Sequence, residues 1–197
     1  DVREGPLSRA RATARACGCF ERMSFRLCDG LSGIAPGEVD ALVIAGMGGE
    51  TIANILEAAP WVKEKDFPII LQPMSTQAEL RGWLWRNGFL CLREKTVLEG
   101  ETLYSIILAR QGGAVPMTPA EEWAGRQYPG MEDPLRGLLL DHLLGRVRRA
   151  LDGMARSRAP AEARRQAGWR IFGAKPGAYG AGVQGAIEER LWETRAD

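Results

Sequence analysis

The stretch Val39-Asp-Ala-Leu-Val-Ile-Ala45, followed at once by Gly46-Met-Gly-Gly49, decides the fold. An apolar run of strand length reads as a buried strand, and the glycines stop it. A helix must follow directly, because Thr51, Ile52, Ile55, Leu56 and Ala59 recur on one face and Pro60 marks its end. Downstream, Pro68 to Leu71 is a second short strand, closed by Gln72-Pro73. Ser75 or Thr76 then caps a helix with Leu80, Trp83 and Leu84 inward and Trp85 at the surface, and Gly88 ends it. Glu94 to Leu98, a Glu-Gly-Glu turn and Leu103 to Ala109 form a β-hairpin with one edge strand and one inner strand. Upstream, Pro6 suits the first turn of an Arg-studded helix over Leu7 to Cys17, and Met23 to Leu27 predicts a strand ending at Cys28-Asp29-Gly30.

Alternating strands and helices argue for βαβ units and a parallel sheet. A hairpin closing such a sheet is the ending of class I methyltransferase sheets, although other doubly wound folds share the alternation. The expected fold class is therefore α/β: a Rossmann-like, mostly parallel sheet with a C-terminal antiparallel hairpin over residues 1–113, and a small helical domain over 118–197.

Composition bounds the rest. The chain has 197 residues, 45% hydrophobic and 26% charged, which suits one sizeable domain or one domain with an appendage. A mean hydropathy of −0.20 excludes disordered and membrane-spanning classes, and no apolar run approaches the ~20 residues that cross a bilayer. Four cysteines are too few for a disulfide scaffold. The net charge of +1 gives no global sign of a nucleic-acid partner, but 22 of the 26 basic residues are Arg. A GC-rich genome explains that bias, as does a preference for the phosphate-binding guanidinium.

From Thr118 the character changes. Leu140, Leu144, Val147, Leu151 and Met154 follow a 4-3-4-3 spacing, the seam of either a coiled-coil hairpin or a helix packed on its own domain. Helix is expected again at Val183 to Trp192. Between His142 and Pro176 stand nine basic residues (Arg146, Arg148, Arg149, Arg156, Arg158, Arg164, Arg165, Arg170 and Lys175) against Asp152 and Glu162. With Trp169, Phe172 and Tyr179 beside it, this stripe is either a solvated face or a surface for RNA.

In a doubly wound sheet, ligands bind beyond the carboxyl ends of the strands. Three such ends are distinctive here: Asp29-Gly30, Ala45 to Gly49, and Gln72-Pro73. Glycines clear the approach of a flat ligand to the backbone, or they merely form a tight turn. Neither GxGxxG nor a P-loop Lys-Ser/Thr is present, so dinucleotide and NTP readings lack their key parts. Cys17-Gly-Cys19 is not CxxC, and the sole His142 lies on the Leu-rich helix; no metal set or hydrolase triad can be assembled.

Asp40 to Gly49, Ile70-Leu-Gln-Pro73, the Arg81-Gly-Trp-Leu84 helix, the Tyr104 hairpin and the opening Asp1 to Leu7 with Asp29-Gly-Leu31 together resemble the bacterial tRNA (adenine-22-N1)-methyltransferase family. The resemblance covers residues 1–111. It implies a class I fold, S-adenosylmethionine as donor, tRNA as partner, a cytoplasmic setting, no metal, and a helical, coiled-coil-like tail that helps hold tRNA. The heptad seam fits such a tail, whereas the Gly/Pro-rich 168–182 stretch departs from a continuous helix pair. Position by position, the resemblance gives Asp1 the ribose hydroxyls of the donor and Asp29, with Gly30, its adenine amino group. Ala45, Gly46, Met47 and Gly48 border the methyl group and the target base, and the tail arginines Arg146, Arg148, Arg149, Arg156, Arg158, Arg164 and Arg165 face RNA.

Adenine N1 carries a free lone pair, so its attack on a sulfonium methyl needs no base; positioning and acceptors for the developing positive charge suffice. The base must first leave its stack. The family's first strand and Gly-containing loop lie upstream of the residue matched by Asp1, so these 197 residues alone are expected to bind the donor poorly. The rival expectation is a non-catalytic RNA-binding or scaffolding relative.

Overall fold

A computed structural model describes residues 1–126 and 131–156. Two parallel strands and an antiparallel hairpin make one sheet. Strand β1 (Leu42–Gly48) leads straight into α2 (Gly49–Glu57), and β2 (Ile69–Ser75) into α3 (Gln77–Arg86). The hairpin is β3 (Phe89–Glu99) and β4 (Thr102–Gln111). Ahead of the sheet stands α1 (Glu4–Ala16), and after it come α4 (Pro119–Ala124) and α5 (Arg136–Arg156).

The strand order is β1-β2-β4-β3. β1 and β2 run parallel, while β4 is antiparallel to both β2 and β3. This is the 4-5-7-6 half of the class I order 3-2-1-4-5-7-6, with the hairpin's inner and edge strands as expected. Among the described residues the parallel part of the sheet is a single pair, since the expected strand Met23–Leu27 is not in it. That segment is extended, but its ladder consists of two bonds around one residue. Asp1 N donates to Arg26 O (3.1 Å) and Cys28 N donates to Asp1 O (3.0 Å), the pattern of a parallel bridge. A strand is defined by its neighbour, and the five residues Met23-Ser-Phe-Arg-Leu27 cannot supply one.

The helices α2 and α3 cover one face of the sheet. Leu42, Ile44, Ile69, Leu71, Ile107 and Ala109 pack there against Ile52, Leu56, Leu80 and Leu84, with Val62, Phe67 and Phe89 closing the core. The other face is open: Val43 is 64% exposed, and its register partners Ile70 and then Leu108 are half-buried. Among the described residues β1 is thus an outer strand of the sheet with one face buried. Both parallel strands also run further towards their carboxyl ends than expected, carrying Gly46–Gly48 and Gln72–Ser75 into the sheet.

The α4 segment is anchored to this body. Thr118 and Glu121 form a capping box, in which Thr118 N and Oγ1 both donate to Glu121 Oε2 (2.8 and 2.9 Å). Arg81, 1% exposed on α3, donates through Nε and Nη2 to the Glu94 carboxylate of β3 and through Nη1 to the carbonyls of Glu122 and Trp123. Trp85, expected at the surface, is half-buried because its Nε1 donates to Glu122 Oε1 (2.7 Å). Asp133 accepts from Thr96 N (2.9 Å), and Arg136 at the start of α5 donates to the carbonyls of Ala124 and Gly125. Burial holds the Arg136 guanidinium below its ordinary value.

On α5, Leu139 is buried against the body, Leu140 and Val147 are half-buried and Leu144 is 50% exposed. The helix expected at 183–192 lies outside the described residues.

Burial, reinforced by the nearby Glu94 carboxylate, pushes the Cys91 thiol up to about 12. Only the thiolate attacks an alkylating agent, so at pH 7.5 iodoacetamide should label exposed Cys17 at least about a hundredfold faster than Cys91 in the folded protein. Peptide mass spectrometry over a labelling time course, with an unfolded control, checks this; equal rates would mean that the hairpin is open.

Candidate active site

The carboxyl ends of β1 and β2 are joined by side chains. The register runs in step from Leu42↔Ile69 to Ala45↔Gln72 and then slips, to Met47↔Pro73 and Gly48↔Ser75. Gly46 is the residue left over. Its φ of +77° lies in the left-handed region, and a Cβ there would meet nothing within 4 Å, so the demand for glycine comes from backbone conformation and not from crowding. At the slip, Gly46 N donates to Gln72 Oε1 (2.8 Å), while Gln72 Nε2 lies 3.3 Å from Met74 Sδ.

Gly49 is needed for the opposite reason. A Cβ there would stand 2.2 Å from the Thr76 carbonyl oxygen, so only glycine lets α2 begin against the β2–α3 junction. Thr76 itself sits at φ 49° and is the α3 N-cap residue, but its hydroxyl makes no cap bond to that helix. Instead Thr76 Oγ1 accepts from Glu50 N (3.2 Å), tying the two helix starts together. Ala45, Gly46 and Met47 are all exposed, so the turn is open to a ligand.

The acidic half of the expected site assembles separately. The bridge at Asp1 brings Asp1 beside Arg26–Cys28, immediately before Asp29-Gly30. Asp1 Oδ1 accepts from Arg3 N (2.9 Å). The Asp29 carboxylate is exposed and has no hydrogen bond or ion pair to another described residue. Gly30 lies against Ile55 of α2, where an added Cβ would be 3.0 Å from Cγ1 and Cγ2. The two halves thus share α2 as a common support, but among the described residues no hydrogen bond runs directly between Asp29 and the Gly46–Gly48 turn.

Of the tail arginines, Arg146, Arg148, Arg149 and Arg156 lie exposed on α5; Arg158, Arg164 and Arg165 fall outside the described residues. Arg146 and His142 line a cavity of about 170 Å³ with Met74, Gln77, Ser105 and Trp123, next to but not including the glycine turn. Among the described residues no cluster of His, Cys, Asp or Glu could hold a metal ion, and no helix is long and apolar enough to cross a membrane. Sequence reasoning singled out Gln72-Pro73 as a strand end without giving the Gln72 side chain a role. A carboxamide at the end of a strand, opposite a glycine turn that carries no polar side chain of its own, was the available signal.

Residues 1–107 match the family model described as a methyltransferase domain, and residues 145–197 match a second one, CobN/Magnesium Chelatase. The chain is 34% identical over 112 residues to the tRNA (adenine(22)-N(1))-methyltransferase of Bacillus subtilis, a match covering 57% of this chain and 47% of that enzyme. It is also 76% identical over 59 residues to the aerobic cobaltochelatase subunit CobN of Pseudomonas aeruginosa, covering 29% of this chain and 5% of that subunit. The chain therefore spans less than half the length of these curated relatives.

Among solved structures it is similar to a putative tRNA (m1A22) methyltransferase of Streptococcus pneumoniae, with 25% identity and a TM-score of 0.71, covering 87% of this chain and 79% of that one. The same enzyme in complex with S-adenosyl-L-methionine gives 26% identity and a TM-score of 0.68, covering 87% and 78%. The methyltransferase match ends before α5, so the tail arginines fall in the stretch that resembles the second family. A match that runs without a break from residue 1 through most of the hairpin, over more than half of the chain, settles the family: this protein belongs to the methyltransferase domain family.

Proposed function

We propose that the protein methylates N1 of adenine in tRNA, at the position its Bacillus relative names, with S-adenosylmethionine as donor and the cytoplasm as its setting. The observation that carries this reading is the bulged, open turn Gly46-Met47-Gly48 at the carboxyl end of β1, inside the stretch that matches the methyltransferase domain model. The donor's nucleoside half fits the residues present. Asp29 offers an unengaged carboxylate, the natural acceptor for amino and hydroxyl donors, and Gly30 beside it carries no side chain. Asp1 is expected to accept from the ribose hydroxyls with the oxygen that Arg3 leaves free. When bound, the donor supplies an electrophilic sulfonium methyl.

The chain's own part is to orient and to shield. The open turn admits a flat base edge-on, Met47 and Met74 flank it with exposed thioether side chains, and main-chain carbonyls face the positive charge that grows on the base. No side chain has to take a proton.

The helical segment from residue 118 is proposed to hold tRNA through the exposed arginines of α5. That part stands on charge alone, because residues 145–197, which carry these arginines, match the CobN/Magnesium Chelatase model and not the methyltransferase one.

The test uses the complete gene product, labelled S-adenosylmethionine and tRNA transcripts with A or G at position 22. Transfer confined to the A22 transcript supports the reading. Saturable tRNA binding without transfer favours the non-catalytic relative, and transfer to both transcripts sinks the position.

A further inference from the structure

The slip in the β1–β2 register leaves one main-chain donor, Gly46 N–H, in the hands of a side chain from the neighbouring strand. Because a peptide N–H can only donate, the Gln72 carboxamide must present its oxygen to it. That fixes which way round the amide lies, with Nε2 on the Met74 side. The consequence reaches the other end of the same peptide bond. The Ala45–Gly46 peptide is trans, so its C=O and N–H point in opposite directions. With the Gly46 N–H turned toward β2, the Ala45 carbonyl is turned to the opposite side of β1. In the class I order, whose position four β1 occupies, the strand order reverses on that side, and ligands bind at the carboxyl ends of the strands there.

We propose that Gln72 is a positioning residue that acts through Gly46. Its carboxamide oxygen holds the Ala45–Gly46 peptide so that the Ala45 carbonyl faces the target base, where it accepts from the exocyclic amino group and opposes the charge created at N1. This rests on the function proposed above and deepens it by naming what orients the acceptor. The bond joins two strands whose ends are otherwise held by Gly48 against Ser75 and by the Thr76–Glu50 contact, so the turn is tied down on its β2 side. Gly46 can adopt φ +77° without strain, but it can adopt other conformations equally well; the permissiveness of glycine is the reason a clamp is needed.

The experiment compares Gln72→Leu, Gln72→Glu and wild type in two ways: steady-state methyl transfer to the A22 transcript, and NMR hydrogen exchange at the Gly46 amide. Glu keeps an oxygen where Gly46 needs one; Leu keeps the bulk without it. Gln72→Leu is expected to lower kcat by about 10- to 100-fold, with the KM for tRNA changed less than about threefold, since an orienting group is lost and the binding surface is kept. Gln72→Glu is expected to stay within about threefold of wild type. Exchange at Gly46 should accelerate by about tenfold in the Leu variant and not in the Glu variant.

Wild-type kcat in the Leu variant, equal losses in both variants, or unchanged Gly46 exchange would each overturn the proposal. Equal losses would assign the role to the Nε2 donor instead. Should the wild-type protein transfer no methyl to any transcript, the functional reading fails, and the exchange data alone decide whether Gln72 holds the turn.

Discussion

Arg81→Met should lower the stability of the folded protein by about 3–5 kcal/mol, a drop in Tm on the order of 10 °C for a chain of this size. The guanidinium is 1% exposed and the Glu94 side chain 7%, so neither charge is solvated by water. Arg81 Nε lies 2.9 and 3.1 Å from the two carboxylate oxygens, and Nη2 lies 2.8 Å from one of them. Nη1 serves the carbonyls of Glu122 at 2.8 Å and Trp123 at 3.1 Å. Removing the cation leaves a buried carboxylate and two carbonyls without these donors, and the desolvation of an unpaired charge is the largest part of the loss.

The double variant Arg81→Met/Glu94→Leu should recover about half of the loss, since neither charge of the pair remains but the α4 carbonyls still lack a donor. Thermal unfolding followed by circular dichroism reads both variants. A loss below about 1 kcal/mol in the single variant would show a pair as wet as any on the surface.

Gly49→Ala should cost about 3 kcal/mol, read as a lowered urea midpoint with an unchanged slope. The added carbon would stand 2.2 Å from the Thr76 carbonyl oxygen and 3.0 Å from Leu80 Cβ. The first obstacle is main chain, already held in a left-handed conformation at Thr76, and cannot swing aside as a flexible side chain would. The start of α2 must therefore back away from β2, and the Glu50–Thr76 bond lengthens with it. Gly37→Ala is the control: nothing lies within 4 Å of its added carbon, so a change within about 0.5 kcal/mol is expected. Similar values for the two variants would refute the close approach.

The hairpin was legible because alternation before Gly100 and an apolar run after it distinguish an edge strand from an inner one, and β3 and β4 occupy those places. The helix phases were legible for the same kind of reason: Ile52, Leu56, Leu80 and Leu84 are all fully buried. The glycine turn was located, but its inclusion in β1 was not, since a bulge depends on what the next strand offers, and Gln72 offers a side chain.

Met23–Leu27 has strand composition but gains a partner only at Asp1. The Arg81–Glu94 pair was invisible for a different reason. A charged residue on a helix reads as solvent-facing until a carboxylate 13 residues away is brought beneath it by the fold. In the acidic half of the expected site, Asp1 and Asp29 were assigned their roles by resemblance, and the structure adds the bridge at Asp1 that brings the two segments side by side.

The two helices behind the glycine turn begin at one spot. Glu50 N is fastened to Thr76 Oγ1 across the gap that Gly49 keeps free of a side chain, so the starts of α2 and α3 are yoked. A push on the first turn of either helix is passed to the other, and the ends of β1 and β2 shift together or not at all.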